Sequence, residues 1–183
     1  MALTATIYNF DVQLSDVDRN VYETLALRVA RHPSETEEYL VTRVVAFCLE
    51  YTDGITFTKG IAEPDEPAVV VRDLTGALRA WIEVGSPDAD RLHKASKASP
   101  RVVVYTHKDP VRLIQQLSNE RIHKAESIEI RSIDRTLLEQ LVARLDRRTA
   151  WELAISDGHL YFTVGGAVLD GAVERQTLVS QAR

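Results

Sequence analysis

One acidic residue, Glu83, lies inside an otherwise apolar run, Ala80-Trp81-Ile82-Glu83-Val84. Such a run predicts a β-strand in a central rather than an edge position of a sheet. A carboxylate among apolar neighbours is costly to bury unless a cation meets it. Glu83 therefore indicates either an internal ion pair, with Arg79 or Lys94 as the candidate partner, or a site that binds a cation.

Two helix starts flank the strands around Glu83. Ser34, with Glu37 three residues later, is a capping box and predicts a helix that begins at Ser34. Ser86-Pro87-Asp88 predicts a second start with Ser86 as its N-cap, and that helix should run to about Ala98. Apolar runs predict four strands, near residues 55–59, 68–71, 77–84 and 101–105. The predicted order is helix, three strands, helix and strand.

Hairpins are predicted at both ends of the chain. Residues 8–14 and 25–29 alternate between apolar and polar side chains on either side of a turn. Asp157-Gly158 is a strong two-residue hairpin signal, whereas residues from Gly165 onward predict only a strand fragment and a loose tail. No repeat or linker divides the 183 residues. We expect one domain, residues 1–183, with an α/β (α+β) fold and a mixed β-sheet flanked by helices.

Charge and hydropathy narrow the classes of function. The net charge is −5, which argues against a protein that coats nucleic acid generally, since such proteins are usually basic. No apolar run approaches the length that spans a membrane, and the first residues lack the features of a signal peptide. We expect a cytoplasmic protein without a membrane partner.

Several carboxylates and one lysine predict a site for metal-assisted hydrolysis of a phosphodiester. Asp65 and Glu66 lie in a proline-flanked turn before the Glu83 strand, and Glu38 lies at the edge of the apolar stripe of the first helix. Converging carboxylates hold Mg²⁺ or Mn²⁺, which activates a bound water. Lys94, two turns into the second helix, would orient that water or stabilise the developing charge. The expected metal ligands are Glu66, Glu83 and Asp65.

A non-catalytic function is the alternative. Basic residues outnumber acids between Arg91 and Arg112, and Arg91, Lys97 and Arg101 are the candidates for contact with nucleic acid. The same pattern is also typical of a solvated helix and loop. A regulatory protein that acts only through protein contacts would instead hold its cleft acids in internal salt bridges.

Several motifs, taken together, closely resemble the bacterial YaeQ family. They are Ala30-Arg31-His32-Pro33-Ser34-Glu35-Thr36 with Glu38, then Asp65-Glu66-Pro67, Trp81-Ile82-Glu83-Val84-Gly85-Ser86-Pro87-Asp88, and Arg91 with Lys94-Ala95. The resemblance covers essentially the whole chain. It implies a compact variant of the PD-(D/E)xK nuclease fold, with N-terminal and C-terminal β-hairpin additions and a core at about residues 34–106.

The resemblance also implies roles for the site residues. Glu38 resembles the helix acid of the nuclease clan, and Asp65 or Glu66 resembles its first motif acid. Glu83 resembles the acid of the (D/E)xK tripeptide, but Gly85 stands where that tripeptide has its lysine. Lys94 is then the candidate for a catalytic lysine that has moved to the following helix.

Two hypotheses follow from the sequence. The first is an Mg²⁺- or Mn²⁺-dependent phosphodiester hydrolase with Glu83, Lys94, Glu66 and Glu38 as its catalytic residues. The alternative is a non-catalytic module that binds nucleic acid or protein on a nuclease-like scaffold.

Overall fold

The computed structural model describes residues 4–178, which form a ten-stranded mixed β-sheet and four α-helices. The strands are β1 (Thr6–Asp16), β2 (Val21–Arg31), β3 (Ile55–Phe57), β4 (Val69–Arg72), β5 (Leu78–Val84), β6 (Val102–Thr106), β7 (Glu129–Ile133), β8 (Arg148–Ser156), β9 (His159–Val164) and β10 (Ala167–Thr177). The helices are α1 (Glu37–Leu49), α2 (Ala89–Ala98), α3 (Pro110–Leu117) and α4 (Arg135–Ala143). The predicted mixed sheet with flanking helices is confirmed.

The strands do not follow one another across the sheet in chain order. Their order is β2-β1-β8-β9-β10-β7-β6-β5-β4-β3. β1 pairs in parallel with β8, and β6 pairs in parallel with both β5 and β7, while the other neighbours are antiparallel. Along the chain, α1-β3-β4-β5-α2-β6 agrees with the predicted order of helix, three strands, helix and strand.

Two hydrophobic clusters lie on opposite faces of the sheet at β5 and β6. On one face, Ile82 and Val103 pack with α1 and α4. On the other face, Trp81 and Val104 pack with α2 and α3. Successive side chains of a strand point to opposite faces. Glu83 therefore shares the face of Trp81, which α2 covers.

The start of α1 differs from the prediction. Its N-cap is Thr36, whose hydroxyl accepts a hydrogen bond from the backbone N–H of Tyr39 (3.1 Å). Ser34 instead contacts the ring of His32 (2.6 Å), within a turn that delays the helix by two residues. The predicted capping box of Ser34 and Glu37 is wrong, because Ser34 is engaged with His32 and Thr36, also a favoured N-cap residue, lies nearer the apolar stripe.

The start of α2 is also displaced by two residues. Asp88 is the N-cap and accepts a hydrogen bond from the backbone N–H of Arg91 (2.8 Å), so the prediction of Ser86 is wrong. The predicted end at Ala98 is confirmed. Within residues 4–178, no helix combines the length and the apolar character needed to cross a membrane.

Both predicted hairpins are confirmed, but the C-terminal segment is underestimated. β1 and β2 pair across one turn, and Asp157-Gly158 joins β8 to β9. Gly165 and Gly166, both with positive φ (55° and 81°), join β9 to the eleven-residue strand β10. The predicted strand fragment is therefore wrong for residues 167–177, and the end of the predicted tail lies outside the described residues.

One buried side chain joins the two edges of the sheet. Arg43 of α1 has a side chain that is 1% exposed. It donates to the carbonyl oxygens of Ala30 in β2 (3.3 Å), of Ala68 beside β4 (3.1 Å) and of Thr58 beside β3. It also pairs with the carboxylate of Glu35 (3.4 Å). Because β2 and β3 are the first and last strands in the sheet order, Arg43 links the two ends of the sheet.

Candidate functional site

Glu83 is buried, and each of its carboxylate oxygens has a hydrogen-bond donor. The residue is 3% exposed, near the end of β5. Nε1 of Trp81 donates to one oxygen (2.5 Å), and Nε of Arg91, in the first turn of α2, donates to the other (2.9 Å). The expected alternative of an internal ion pair is therefore realised. The cation is Arg91, so the predicted partners Arg79 and Lys94 are wrong.

Arg91 connects three parts of the chain. Besides its contact with Glu83, its Nη1 and Nη2 donate to the backbone carbonyl oxygens of Pro64 and Glu66. Its backbone N–H is held by the N-cap Asp88, which fixes the turn from which the side chain extends. The guanidinium group thus lies among one carboxylate and two carbonyl oxygens, and 27% of the side chain is exposed.

Burial and the ion pair act on Glu83 in opposite directions. Desolvation raises the pKa of Glu83, the contact with Arg91 lowers it, and the net direction is upward. Desolvation lowers the pKa of Arg91, but the contact with Glu83 outweighs it, so that the pKa of Arg91 is raised. The negative charge of Glu83 therefore depends on Arg91.

Asp65 and Glu66 lie in an exposed turn. The carboxylate of Glu66 accepts a hydrogen bond from the backbone N–H of Lys59 (3.3 Å). Asp65 lines a cavity of about 460 Å³ together with Arg91 and Lys94. The side chain of Lys94 is exposed and forms no hydrogen bond or ion pair with any residue from 4 to 178. The structure thus places Asp65 and Lys94 at one cavity but does not pair Lys94 with Glu83.

Glu38 lies apart from these residues. It is exposed in the first turn of α1 and lines a separate cavity of about 640 Å³ with Ser86 and His107. Burial lowers the pKa of His107, the charge of Lys108 lowers it further, and Glu38 opposes both. α1 packs on one face of the sheet while Glu83 points to the other. Within residues 4–178, no hydrogen bond or ion pair joins the side chain of Glu38 to Glu83 or Arg91.

The carboxylate oxygens of the predicted ligands are not arranged as a site for a divalent metal ion. Mg²⁺ and Mn²⁺ need carboxylate oxygens that are open to the ion, whereas those of Glu83 are bound by Trp81 and Arg91. Among the described residues, no group of three or more His, Cys, Asp or Glu side chains is placed to hold a metal ion. The expected ligands Glu66, Glu83 and Asp65 do not form such a group.

Comparison with known proteins identifies the family. The family model described as YaeQ protein matches residues 1–172.

The chain belongs to the YaeQ family.

Relatives of known sequence and structure extend this result. The chain is 34% identical to the "Uncharacterized protein YaeQ" of Escherichia coli (strain K12) over 166 residues, 89% of this chain and 91% of that protein. It is also similar to the crystal structure of a YaeQ protein from Pseudomonas syringae, with 30% identity, a TM-score of 0.86, and coverage of 94% of this chain and 96% of that one. A YaeQ structure from Xanthomonas axonopodis pv. citri gives 30% identity and a TM-score of 0.85, covering 95% and 99%.

Gly85 holds a backbone conformation that a lysine would not readily adopt. In this YaeQ-family chain its φ is +95°, in the region that favours glycine. Tyr39 and His107 lie beside it, each 3.8 Å from the position of an added Cβ. At this position, where the nuclease resemblance implies a lysine, the backbone conformation therefore favours glycine.

Gly85→Lys introduces the lysine of the (D/E)xK tripeptide that the nuclease resemblance implies. It is expected to lower the free energy of unfolding by about 1–3 kcal/mol, the cost of a strained residue. The nearest neighbours of an added Cβ are at ordinary contact distance, so the cost should come from the backbone. Urea unfolding measures it. Gly85→Ala, the matched control, should lose a similar amount; a loss seen with lysine alone would contradict the conformational explanation.

The basic residues predicted to contact nucleic acid are divided by the structure. Lys97 is exposed in the last turn of α2, and its side chain forms no hydrogen bond or ion pair within residues 4–178. Arg101 pairs with Glu50 (2.6 Å) and Glu129 (2.8 Å), and Arg91 pairs with Glu83. Of the three predicted residues, Arg91 and Arg101 are therefore engaged in internal ion pairs.

Sequence reasoning missed the buried network around Glu50. This residue follows α1, is 8% exposed, and is bound by Arg101, by Arg131 (3.2 Å) and by the hydroxyl of Tyr105 (2.6 Å). Burial raises the pKa of Glu50, but the bonds from Arg101 and Tyr105 outweigh it and the pKa is lowered. The signal in the sequence was an acid directly after an apolar helix, as for Glu83 in its strand.

Proposed function

We propose that this YaeQ-family chain is a non-catalytic binding protein that retains a PD-(D/E)xK nuclease-like core, with Arg91 in the place of the metal ion. Support for the core comes from the order α1-β3-β4-β5-α2-β6 and from the adjacent strands β6-β5-β4-β3, of which β5 and β6 are parallel. Fold alone does not imply activity, so the proposal depends on the site.

The observation that carries the proposal is the environment of the Arg91 guanidinium group. It contacts one oxygen of Glu83 and the carbonyl oxygens of Pro64 and Glu66. Carboxylate and carbonyl oxygens are also the ligands of divalent cations. An internal cation thus satisfies the oxygens that a metal ion would need. Arginine keeps its charge at all relevant pH values, so the substitution is permanent.

The hydrolase hypothesis has weaker support. It requires Glu83 to be open to a metal ion and an ammonium group beside it. Lys94 is exposed and unpaired within the described part of the chain, and Glu38 lies at another cavity. Asp65 and Lys94 share a cavity with Arg91, but one carboxylate and one lysine are not a metal site.

A protein partner fits the charges better than nucleic acid. The net charge is −5, and Arg91 and Arg101 are paired with acids. Exposed Lys94 and Lys97 remain as the cations of α2. Binding to nucleic acid gains most of its affinity from several cations that contact phosphates. Of the three predicted contact residues, only Lys97 has a side chain without an acidic partner among the described residues.

Isothermal titration of Mn²⁺ into the parent protein and into Glu83→Ala tests the proposal. We expect no binding heat from either protein, and no cleavage of single- or double-stranded DNA or RNA in Mn²⁺. Mn²⁺ binding by the parent that Glu83→Ala abolishes would overturn the proposal and favour the hydrolase.

A second arm separates the two kinds of partner. A fluorescent oligonucleotide should bind the parent weakly, and Lys97→Ala should leave the salt dependence of that binding unchanged. Lys124→Ala, at another exposed lysine, is the matched control. A salt slope that falls with Lys97→Ala but not with Lys124→Ala would contradict the protein-partner proposal and favour nucleic acid.

A further inference from the structure

We propose that the groove between β2 and β3 binds an extended, acidic peptide segment of a partner protein as an added strand. The inference rests on the proposed function and deepens it, since it names the class of partner and the place where it binds. The groove lies between the first and last strands of the sheet order.

The two walls of the groove are unpaired sheet edges. Within residues 4–178, β2 has a strand neighbour only in β1, and β3 only in β4. Each edge therefore presents backbone N–H and C=O groups without a neighbouring strand, and such edges readily accept an extended peptide. β2 is eleven residues long, which makes it a long template for pairing.

The spacing of the two edges suits one inserted strand. At one end of the groove, the guanidinium group of Arg43 reaches the carbonyl oxygens of both Ala30 and Thr58. It spans the gap with one hydrogen bond on each side, as an intervening backbone would. Neighbouring strands lie about 4.8 Å apart, so edges separated by one strand lie about 10 Å apart. Arg43 thus fills at this end the place that a peptide could take farther along.

Beyond Arg43 the groove is open and has an apolar floor. Its volume is about 550 Å³, and Phe57, Val70 and Trp81 are among the residues that line it. This size is within the range of sites that bind ligands. Apolar side chains on the floor would accept alternate side chains of an extended peptide, while its backbone pairs with the edges.

The exposed cations of the groove indicate an acidic peptide. Arg28 and Arg72 both line the groove and are both exposed. The side chain of Arg28 has no hydrogen bond or ion pair with any described residue, and the side chain of Arg72 donates only to the carbonyl oxygen of Gly76 (3.0 Å) among them. Of the two acids of the groove, Glu66 accepts a hydrogen bond from the backbone N–H of Lys59 (3.3 Å), the residue after Thr58, whose carbonyl oxygen Arg43 binds. Asp65 precedes Glu66 in the same turn. A carboxylate on the peptide would therefore meet Arg28 or Arg72 in the open part.

Selection from a displayed library of random linear peptides of about twelve residues tests this inference. Enriched peptides should carry acidic side chains. Arg28→Glu and Arg72→Glu should each weaken their binding about tenfold, because the complementary charge is reversed. Arg121→Glu, which reverses an exposed arginine outside the groove, is the matched control and should change nothing.

N-methylated versions of the best peptide test whether it enters as a strand. An inserted strand donates from alternate N–H groups to β2 and from the others to β3. Methylation of either alternate set should therefore abolish binding. The inference would be overturned if methylation of either alternate set left binding unchanged, or if the peptides bound Arg28→Glu as tightly as the parent. Failure of the library to yield an enriched peptide would also overturn it. Dimerisation of the parent that Arg28→Glu abolishes would also overturn it, in favour of a second copy. None of these results bears on the Mn²⁺ titration, so the two proposals fail separately.

Discussion

Arg91→Met is expected to lower the free energy of unfolding by about 3 kcal/mol at neutral pH, the low end for a broken buried ion pair. The low end applies because 27% of the Arg91 side chain is exposed, whereas the Glu83 side chain is 5% exposed. Without the guanidinium group, the buried Glu83 carboxylate keeps only the hydrogen bond from Trp81. The cost is therefore that of an unpaired buried charge. Urea unfolding monitored by circular dichroism measures it.

The destabilisation caused by Arg91→Met should increase as the pH rises. The pKa of Glu83 is already raised by burial, and loss of Arg91 raises it further. Between the pKa of the unfolded glutamate and this raised value, the native state binds more protons, so stability falls as pH rises. The destabilisation by Arg91→Met should thus be larger at about pH 8 than at about pH 5. A pH-independent penalty would show that the ion pair is not its cause.

Glu83→Gln provides the matched control. Glutamine carries no charge and can accept from Trp81 or from Arg91 but not from both, because its amide nitrogen, a donor, replaces one of the two oxygens. The single variant should therefore lose about 1–3 kcal/mol, the cost of one unsatisfied buried group. Combined with Arg91→Met, it should recover most of the loss, since no buried charge remains. A double variant that is as unstable as Arg91→Met would indicate that packing, not charge, is decisive.

Arg43→Met is expected to cost about 5 kcal/mol, the upper end for loss of a buried ion-pair partner. Arg43 satisfies the carboxylate of Glu35 and the carbonyl oxygens of Ala30, Thr58 and Ala68. Burial raises the pKa of Glu35, and the charge of Arg43 opposes this rise. Removal of Arg43 leaves a buried charge and takes a donor from three carbonyl groups, of which that of Ala68 keeps the backbone N–H of Thr58 (3.4 Å). Thermal and urea unfolding measure the loss.

The stability lost in Arg43→Met should be only partly recovered when Glu35→Gln is added. Glu35→Gln removes the buried charge, but the carbonyl oxygens of β2 and of the segments beside β3 and β4 still lack the donor. Each unsatisfied buried group costs about 1–3 kcal/mol. Hydrogen exchange should therefore remain faster at the β2 and β3 edges in the double variant. Full recovery by Glu35→Gln would contradict a role for Arg43 in holding the sheet edges together.

Much of the fold could be predicted because local signals and tertiary contacts agree. The alternation in β1 and β2 and the Asp157-Gly158 turn specify hairpins locally. The C-terminal strand β10 was predicted only as a strand fragment, although Gly165-Gly166 is also a two-residue turn signal. Its own alternation is weak, and its position between β9 and β7 supplies the pairing that the local sequence does not.

The need for a partner of Glu83 could be predicted, but its identity could not. Arg91 and Lys94 are three residues apart and so lie on nearly one face of α2, about 4.5 Å apart along its axis. Which one meets Glu83 depends on where the helix begins, and Asp88 rather than Ser86 sets that position. The position of Glu38, at a cavity with Ser86 and His107, could not be predicted either, since the sequence does not specify which face of the sheet α1 covers.

The parallel pairing of β1 with β8 has a consequence for biosynthesis. Asn9 lies opposite Arg148 and Asp16 opposite Ile155, so the first hairpin finds its parallel neighbour 139 residues later in the chain. Contacts so distant along the chain slow folding, and domains are completed only as their later segments leave the ribosome. The nascent β1–β2 hairpin must therefore wait, with one apolar face uncovered, until β8 has left the ribosome. A chaperone that shields such a face during synthesis would act at this stage.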